Sequence, residues 1–325
     1  MPLPTRRGLP IMSPRPPSWP MTEQRSSLRA MSERIAFVGL GEAATAFVEG
    51  WGAGRAASVR AYDIKSASAD TAPEIADRAA RLGVIACASA AEALDGADLV
   101  FCTVTADQAV AAAESYAPDL PNGALWCDLN SCAPASKARA SEAVIAAGGR
   151  YLDVAVMAPV YPKRNMVPCL LAGPEAQEVA PLLQALPMNV KVAGDTVGRA
   201  SSIKLVRSIM VKGMEALTAE CVLAAVAAGV EDEVFPSLKE GHPKIDVPSR
   251  AAYNFERSLV HGVRRGAEMD EAARMLSDMG LDGGMSAAAA NWQRALATTG
   301  LELPEGDVPD HLWFAREYLK RLQKG

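Results

Sequence analysis

From Ile35 onward the chain repeats one pattern. A short apolar run stops at a glycine, a proline or a small polar residue, and a stretch with helical spacing of apolar positions follows. The runs that read as strands are Ile35–Val38, Ser58–Asp63, Val84–Cys87, Asp98–Val104, Gly123–Asp128, Tyr151–Val156, Val167–Ala172 and Asn189–Ala193. Helical stretches open after Gly41 and cover Pro73–Leu82, Ala106–Tyr116, Pro134–Ala147 and Pro174–Ala185. Pro73 and Pro134 fall in first turns, where a missing N–H costs nothing. Such alternation predicts a parallel sheet covered by helices.

Near Gly194 the strand signals end. Ser201–Val230 reads as one long helix, and Arg250–Arg265, Asp270–Met279, Ser286–Thr298 and His311–Gln323 as further helices. The expected fold is therefore α/β. A Rossmann-type doubly wound sheet spans residues 31–196, and an all-helical domain follows over residues 197–325. Residues 1–30 are crowded with prolines and arginines and read as a disordered tail or an over-extended reading frame. No apolar h-region accompanies Arg6 and Arg7, so no export signal is expected.

Composition narrows the classes. The chain has 325 residues, half of them apolar, and a net charge of −5. That balance gives no reason to expect a nucleic-acid partner. No apolar run approaches the roughly 18 residues needed to span a bilayer. The six cysteines form no C-x-x-C pair and several lie inside apolar runs, which suits small buried hydrophobes in a reducing cytosol. The histidines His242, His261 and His311 lack metal-ligand spacing, so no zinc is expected.

Candidate chemistry begins at Gly39-Leu40-Gly41-Glu42-Ala43-Ala44, directly after the first strand. This is the G-x-G-x-x-G/A pattern of a dinucleotide-binding turn. Gly39 permits the tight turn, Gly41 lets a pyrophosphate approach the backbone, and Ala44 is small enough for helix to pack on strand. The helix N-terminus offers free N–H groups to the phosphates. A second strand ends at Asp63, 24 residues past Gly39 (63 − 39), where an acid binds the ribose hydroxyls. Thr103, in the strand Asp98–Val104, completes the cofactor-binding set. Asp63 favours NAD, because it would repel a 2′-phosphate; Lys65 nearby softens that repulsion, so NADP stays open.

Three further stretches stand at turns. Asn130 and Ser131 follow a strand and can face a ligand or cap the next helix. Met157 and Ala158 follow another strand, where a substrate-facing backbone and a structural turn explain them equally. Lys204, Ser208 and Lys212 lie at i, i+4 and i+8 on one helix face, with Arg207 beside Ser208. Lys204 can be a desolvated general acid or base, or a surface lysine that snorkels.

The order of these pieces resembles the β-hydroxyacid dehydrogenase family, whose members include 3-hydroxyisobutyrate and 6-phosphogluconate dehydrogenases. Gly39–Ala44, Asp128–Pro134, Asp153–Pro159 and Gly198–Ser208 stand where that family has its four motifs. The resemblance implies that Lys204 is the catalytic lysine. It also implies that Asn130, Ser131, Met157, Ala158, Arg207 and Ser208 hold the substrate, a small hydroxy acid. Departures are concentrated here: Asn130-Ser131 replaces Ser-Thr, Met157-Ala158-Pro159 replaces Ser-Gly-Gly, and Arg207-Ser208 replaces Asn-Asn. Arg207-Ser208 together with Lys212–Leu217 looks like a subgroup whose helical domain has no catalogued function, and some of whose members oxidise aryl-substituted β-hydroxy amino acids. Relatives commonly dimerise through the helical domain, which implies a homodimer built on Ser201–Val230. Two rival readings are an imine reductase, whose relatives typically lack the lysine, and a non-catalytic dinucleotide-binding regulator. Whether His261 or Arg264 reaches the site is open from sequence.

Overall fold

The computed structural model describes residues 34–240 and 246–322; the tail expected over residues 1–30, and His242, lie outside them. Eight strands are formed: β1 (Ile35–Val38), β2 (Arg60–Tyr62), β3 (Ile85–Ala86), β4 (Leu99–Cys102), β5 (Leu125–Asp128), β6 (Arg150–Val156), β7 (Cys169–Ala172) and β8 (Val190–Gly194). They make one sheet in the order β3-β2-β1-β4-β5-β6-β7-β8. The chain runs outward from β1 to β3, then returns to the other side of β1 at β4. That reversal is the switch point beside which doubly wound sheets bind ligands.

Helices α1 (Glu42–Trp51), α2 (Ala53–Ala56), α3 (Ala72–Leu82), α4 (Ala90–Leu94), α5 (Ala109–Tyr116), α6 (Pro134–Ala146) and α7 (Ala176–Ala185) belong to this part. Alternate residues of each strand serve opposite faces. Ile35 and Phe37 join Phe47, Phe101 and Leu183 in one core layer, while Ala36 and Val38 join Leu94, Trp126 and Val144 in the other. The four central strands β1, β4, β5 and β6 are almost wholly buried, which explains why they read as continuous apolar runs.

One strand departs from the parallel pattern. β7 pairs antiparallel with β6, with Val154 opposite Leu171. The connection between them contains only a 3₁₀ turn, Arg164–Met166, and no crossover helix that could carry the chain back for parallel pairing. The other neighbouring strands pair in parallel.

Beyond β8 the described residues form only helices: α8 (Arg199–Ala228), α9 (Glu231–Glu240), α10 (Val247–Asp278), α11 (Gly284–Ala297) and α12 (His311–Leu322). The two helices expected over Arg250–Arg265 and Asp270–Met279 are a single helix of 32 residues. Gly262 and Gly266 do not break it. A Cβ on Gly262 would stand 2.2 Å from the carbonyl oxygen of Gln293, and one on Gly266 2.9 Å from Cγ of Arg294. Both glycines let α11 lie close against α10, and this packing outweighs their poor helix propensity. α4 and α9 were not expected from the apolar pattern; Ser89 caps α4 by accepting from the backbone N–H of Glu92 at 3.1 Å.

α8 starts on a buried carboxylate of the sheet. Asp153 of β6 accepts from the backbone N–H groups of Gly198 and Ser201, each at 3.1 Å, and from the Ser201 hydroxyl at 2.7 Å. These bonds satisfy N–H groups that a helix end leaves unpaired. Lys137 of α6, fully buried, lies 3.5 Å from Asp153 and 2.9 Å from Asp128. Burial disfavours its charge, but Asp128 and Asp153 outweigh that and raise its pKa. Tyr151 donates to the other oxygen of Asp128 at 2.6 Å.

Candidate active site

The glycine turn takes the shape its pattern requires. Gly39 has φ +91°, and a Cβ there would lie 2.8 Å from the carbonyl oxygen of Thr103. Its N–H donates to the Tyr62 carbonyl at 2.8 Å, and its carbonyl accepts from the Thr103 hydroxyl at 2.7 Å. Thr103 thus pins the turn. Leu40 and Ala44 are buried in the core beneath it. Glu42 and Ala43 open α1 at the rim, Glu42 exposed and Ala43 partly so.

Asp63 accepts from the Leu40 N–H at 2.8 Å with one oxygen and from the Lys65 N–H at 3.0 Å with the other. Each oxygen keeps a further lone pair. Arg78 of α3 donates to the Leu40 carbonyl at 2.7 Å and holds the turn from outside.

These residues fit a dinucleotide. Among the described residues, no atom beyond Gly41 and its chain neighbours lies within 4 Å of the position a Cβ there would take, so the turn is open where phosphate must approach. The N-terminus of α1 has no side-chain cap to compete. Asp63 stands at the turn with acceptor capacity to spare.

On the sheet's carboxyl edge, Lys204 meets Ser131: its ammonium donates to the Ser131 hydroxyl. Lys204 is partly buried one turn into α8. Burial lowers its pKa; Glu268 pulls the other way, and Lys212, Arg264 and Lys137 push it further down. Arg207 is exposed and reaches the Met157 carbonyl at 3.4 Å. Ser208 and Lys212 do share the Lys204 face and are buried, with the Lys212 ammonium 3.2 Å from the Ser208 hydroxyl.

Lys212 is held by Glu268 of α10 at 2.9 Å. Burial alone would raise the Glu268 carboxyl, but Lys212 and Lys204 bring it down to about 2. Sequence reading missed Glu268. Its signal was faint: an acid in a helical stretch otherwise packed on its buried side by Met269, Ala272 and Met275.

Asn130 does not cap α6, and neither does Ser131. Its backbone and side-chain N–H groups donate to Asp128 at 2.9 and 2.7 Å, and its side-chain N–H also to Cys102 at 3.3 Å. Because the carboxylate accepts only, the Asn130 amide orientation is fixed, and its oxygen is buried without a partner. A donor on a bound molecule could satisfy it. The cap of α6 comes from Glu271 of α10, which accepts from the Ala133 N–H at 2.6 Å and from the Ser136 hydroxyl at 3.3 Å. Met157 and Ala158 are partly buried at the start of the β6–β7 loop, and the Met157 N–H donates to the Pro168 carbonyl at 2.8 Å. The Met157 carbonyl faces Arg207.

Arg264 and His261 of α10 lie near the turn. Arg264 lies 3.6 Å from Glu42. His261 is partly buried, and burial with Arg257 and Arg264 nearby lowers its pKa to about 4. Among the described residues no three potential ligands converge as a metal site, and no helix is long and apolar enough to cross a membrane.

The open glycine turn at the sheet's switch point has the form of a dinucleotide-binding site on a dehydrogenase-like fold. Comparison agrees. Residues 34–194 match the NAD binding domain of 6-phosphogluconate dehydrogenase, and residues 225–296 match a domain of unknown function. A conserved hypothetical protein of Sinorhizobium meliloti 1021 is 37% identical, with a TM-score of 0.69 over 91% of this chain and 98% of that one. A conserved protein of unknown function described as structurally similar to 3-hydroxyacid dehydrogenases is 27% identical, with a TM-score of 0.60 over 81% of this chain and 96% of that one. The 3-hydroxyisobutyrate dehydrogenase of Mycobacterium tuberculosis, solved with L-serine, shares the fold at 18% identity, with a TM-score of 0.65 over 88% of this chain and 98% of that one. The chain belongs to the β-hydroxyacid dehydrogenase family, in the subgroup whose helical part carries that domain of unknown function.

Replacing Lys212 tests the electrostatics directly. Lys212→Met removes a cation that lowers the Lys204 pKa and leaves Glu268, which raises it, without its partner. The pH dependence of Lys204 acetylation, read by mass spectrometry, should therefore move to higher pH. An unmoved profile would show that Lys212 does not set the state of Lys204.

Proposed function

We propose that the protein transfers a hydride between a β-hydroxy acid and NAD, with Lys204 as general acid–base. When bound, the dinucleotide supplies the hydride acceptor for oxidation and the hydride donor for reduction. The observation that carries this reading is the Lys204–Ser131 contact at the sheet's carboxyl edge, with the lysine pKa lowered. A lysine in that state can take the substrate's hydroxyl proton in oxidation and return it in reduction. Ser131 orients the Lys204 ammonium, and the unpartnered Asn130 oxygen offers an acceptor to a substrate donor. Arg207 is exposed beside Met157 and suits a substrate carboxylate. The Lys204 environment also supports this reading over the imine reductase, which typically lacks the lysine, and over a non-catalytic regulator. Three cations that lower a lysine's pKa have no use in a silent site.

The helical part carries an unpartnered apolar stripe. Val206, Met210, Met214 and Leu217 of α8 are 54, 66, 41 and 64% exposed, and Val260 and Val263 of α10 are 51 and 60% exposed. Such a stripe along two long helices supports a homodimer through this part.

Lys204→Ala should lower turnover about 10²–10⁴-fold and leave NAD affinity nearly unchanged. Lys204→Arg should rescue little, because guanidinium stays protonated. Turnover on a panel of β-hydroxy acids, with cofactor binding by fluorescence titration, decides it; near-wild-type turnover in Lys204→Ala removes the lysine from the mechanism. Wild type should prefer NAD to NADP in kcat/KM, and Asp63→Ala should narrow the gap; equal use by the wild type would discard the ribose assignment. Light scattering should give twice the monomer mass, and Leu217→Glu should lower it; a monomeric wild type would end the dimer reading.

A further inference from the structure

The first turn of a helix leaves N–H groups that need acceptors. Ahead of α6 the chain has two residues suited to supply one, Asn130 and Ser131, yet Ala133 stands at the cap position and has no side-chain acceptor. Asn130 gives its N–H groups to Asp128, and the Ser131 hydroxyl receives the Lys204 ammonium. The acceptor comes instead from Glu271 of α10. One of its oxygens accepts from the Ala133 N–H at 2.6 Å and from the Ser136 hydroxyl at 3.3 Å; the other accepts from Arg274.

Ser131 therefore lies in a short span held at both ends. On one side the Asn130 N–H is bonded to Asp128 at 2.9 Å, and on the other the Ala133 N–H is bonded to Glu271 at 2.6 Å. Ser131 and Cys132 lie between them. The first anchor belongs to the sheet. The second belongs to the helical part, whose α8 carries Lys204 and is joined to α10 by the buried Lys212–Glu268 and Arg265–Glu215 pairs. A cap from within α6 would steady that helix but would not locate Ser131 against the lysine. The bond also removes a competitor. A serine hydroxyl readily accepts from the backbone N–H two residues on, and for Ser131 that donor is the Ala133 N–H. With Glu271 on that N–H, the Ser131 hydroxyl is left for Lys204.

We propose that Glu271 is a positioning residue of the site: from the helical part it fixes the Ser131 segment, and by occupying the Ala133 N–H it keeps the Ser131 hydroxyl on Lys204. The proposal rests on the Lys204–Ser131 reading of the site. Glu271 touches neither reacting group and acts through Ser131.

A double-mutant cycle of wild type, Glu271→Ala, Ser131→Ala and the double variant tests this, with Glu271→Gln alongside. The readouts are the pH profile of Lys204 acetylation, by mass spectrometry, and kcat on the β-hydroxy acid panel. Ser131→Ala takes an acceptor from the Lys204 ammonium, so acetylation should move to lower pH. Glu271→Ala should move it the same way and lower kcat about tenfold. Adding Glu271→Ala to Ser131→Ala should change neither readout further. Glu271→Gln keeps an acceptor for the Ala133 N–H and should stay close to wild type. An unmoved acetylation profile in Glu271→Ala overturns the proposal. Additive effects in the cycle also overturn it, because Glu271 would then act without Ser131. So does a Glu271→Gln profile shifted as far as that of Glu271→Ala, which assigns the effect to charge. Should Glu271→Ala alone fail to fold, Ala133→Ser, which caps α6 from within, is placed in every member of the cycle. Wild type without turnover on the panel refutes the general acid–base reading, and the acetylation cycle then decides the role of Glu271 by itself.

Discussion

Asp153 accepts three hydrogen bonds from the first turn of α8 while it stands on β6, so the sheet's edge and the helix that carries Lys204 share one anchor. Its charge is tolerable there because Lys137 stands between it and Asp128, and because helix N–H groups carry partial positive charge. Asp128 in turn holds Asn130 and so shapes the segment that presents Ser131. A single buried network thus fixes both members of the Lys204–Ser131 contact. Breaking such a buried pair at one end typically costs about 3–5 kcal/mol, since a charge is then left alone in the core. Lys204 is held in place by charges that never meet solvent.

A second tie acts from the helical side. Glu271 caps α6 across 138 residues of sequence and brings α10 against the loop that bears Ser131. The same helix brings Glu268 to Lys212, which shares the Lys204 face of α8. α10 adds Glu268 and Arg264, which act in opposite directions on the Lys204 charge that burial already disfavours, while the sheet network sets its position. Arg265 adds to the helical core by donating to Glu215, which also accepts from Gln293 at 3.0 Å. With glycines admitting α11 at close range, α8, α10 and α11 behave as one packed body.

The fold was legible because its strands are short, apolar and separated by turn residues, and because the glycine turn has a local pattern with a local cause. Lys204, Ser208 and Lys212 were legible as one face, since helical spacing needs no tertiary knowledge. Lys137 was less visible, although it occupies a core position on α6, at i, i+3, i+4 and i+7 with Ala140, Ser141 and Val144. A lysine in an apolar stripe was the signal, and only its two carboxylate partners, distant in sequence, explain it. Glu268 and Glu271 were illegible for the same reason: each is defined by a partner on another element. The break expected between Arg265 and Asp270 failed because a glycine's local preference yields to a neighbour that needs its missing Cβ. The antiparallel β7 depended on a connection too short for a crossover, a matter of chain length and not of strand propensity.

The cap that Glu271 places on α6 also decides how the crevice can breathe. Its floor is riveted twice, by Glu271 to the Ala133 N–H and by Asp153 to the start of α8. Both rivets are buried bonds to backbone N–H groups, while at the rim a half-exposed pair, Glu42 with Arg264, spans the gap. Separation of the two walls is therefore cheap at the mouth and costly at the base. If the walls part, the buried bonds make the base a stiff ligament and the Glu42–Arg264 rim a loose lip, with Lys204 on the side that stays still.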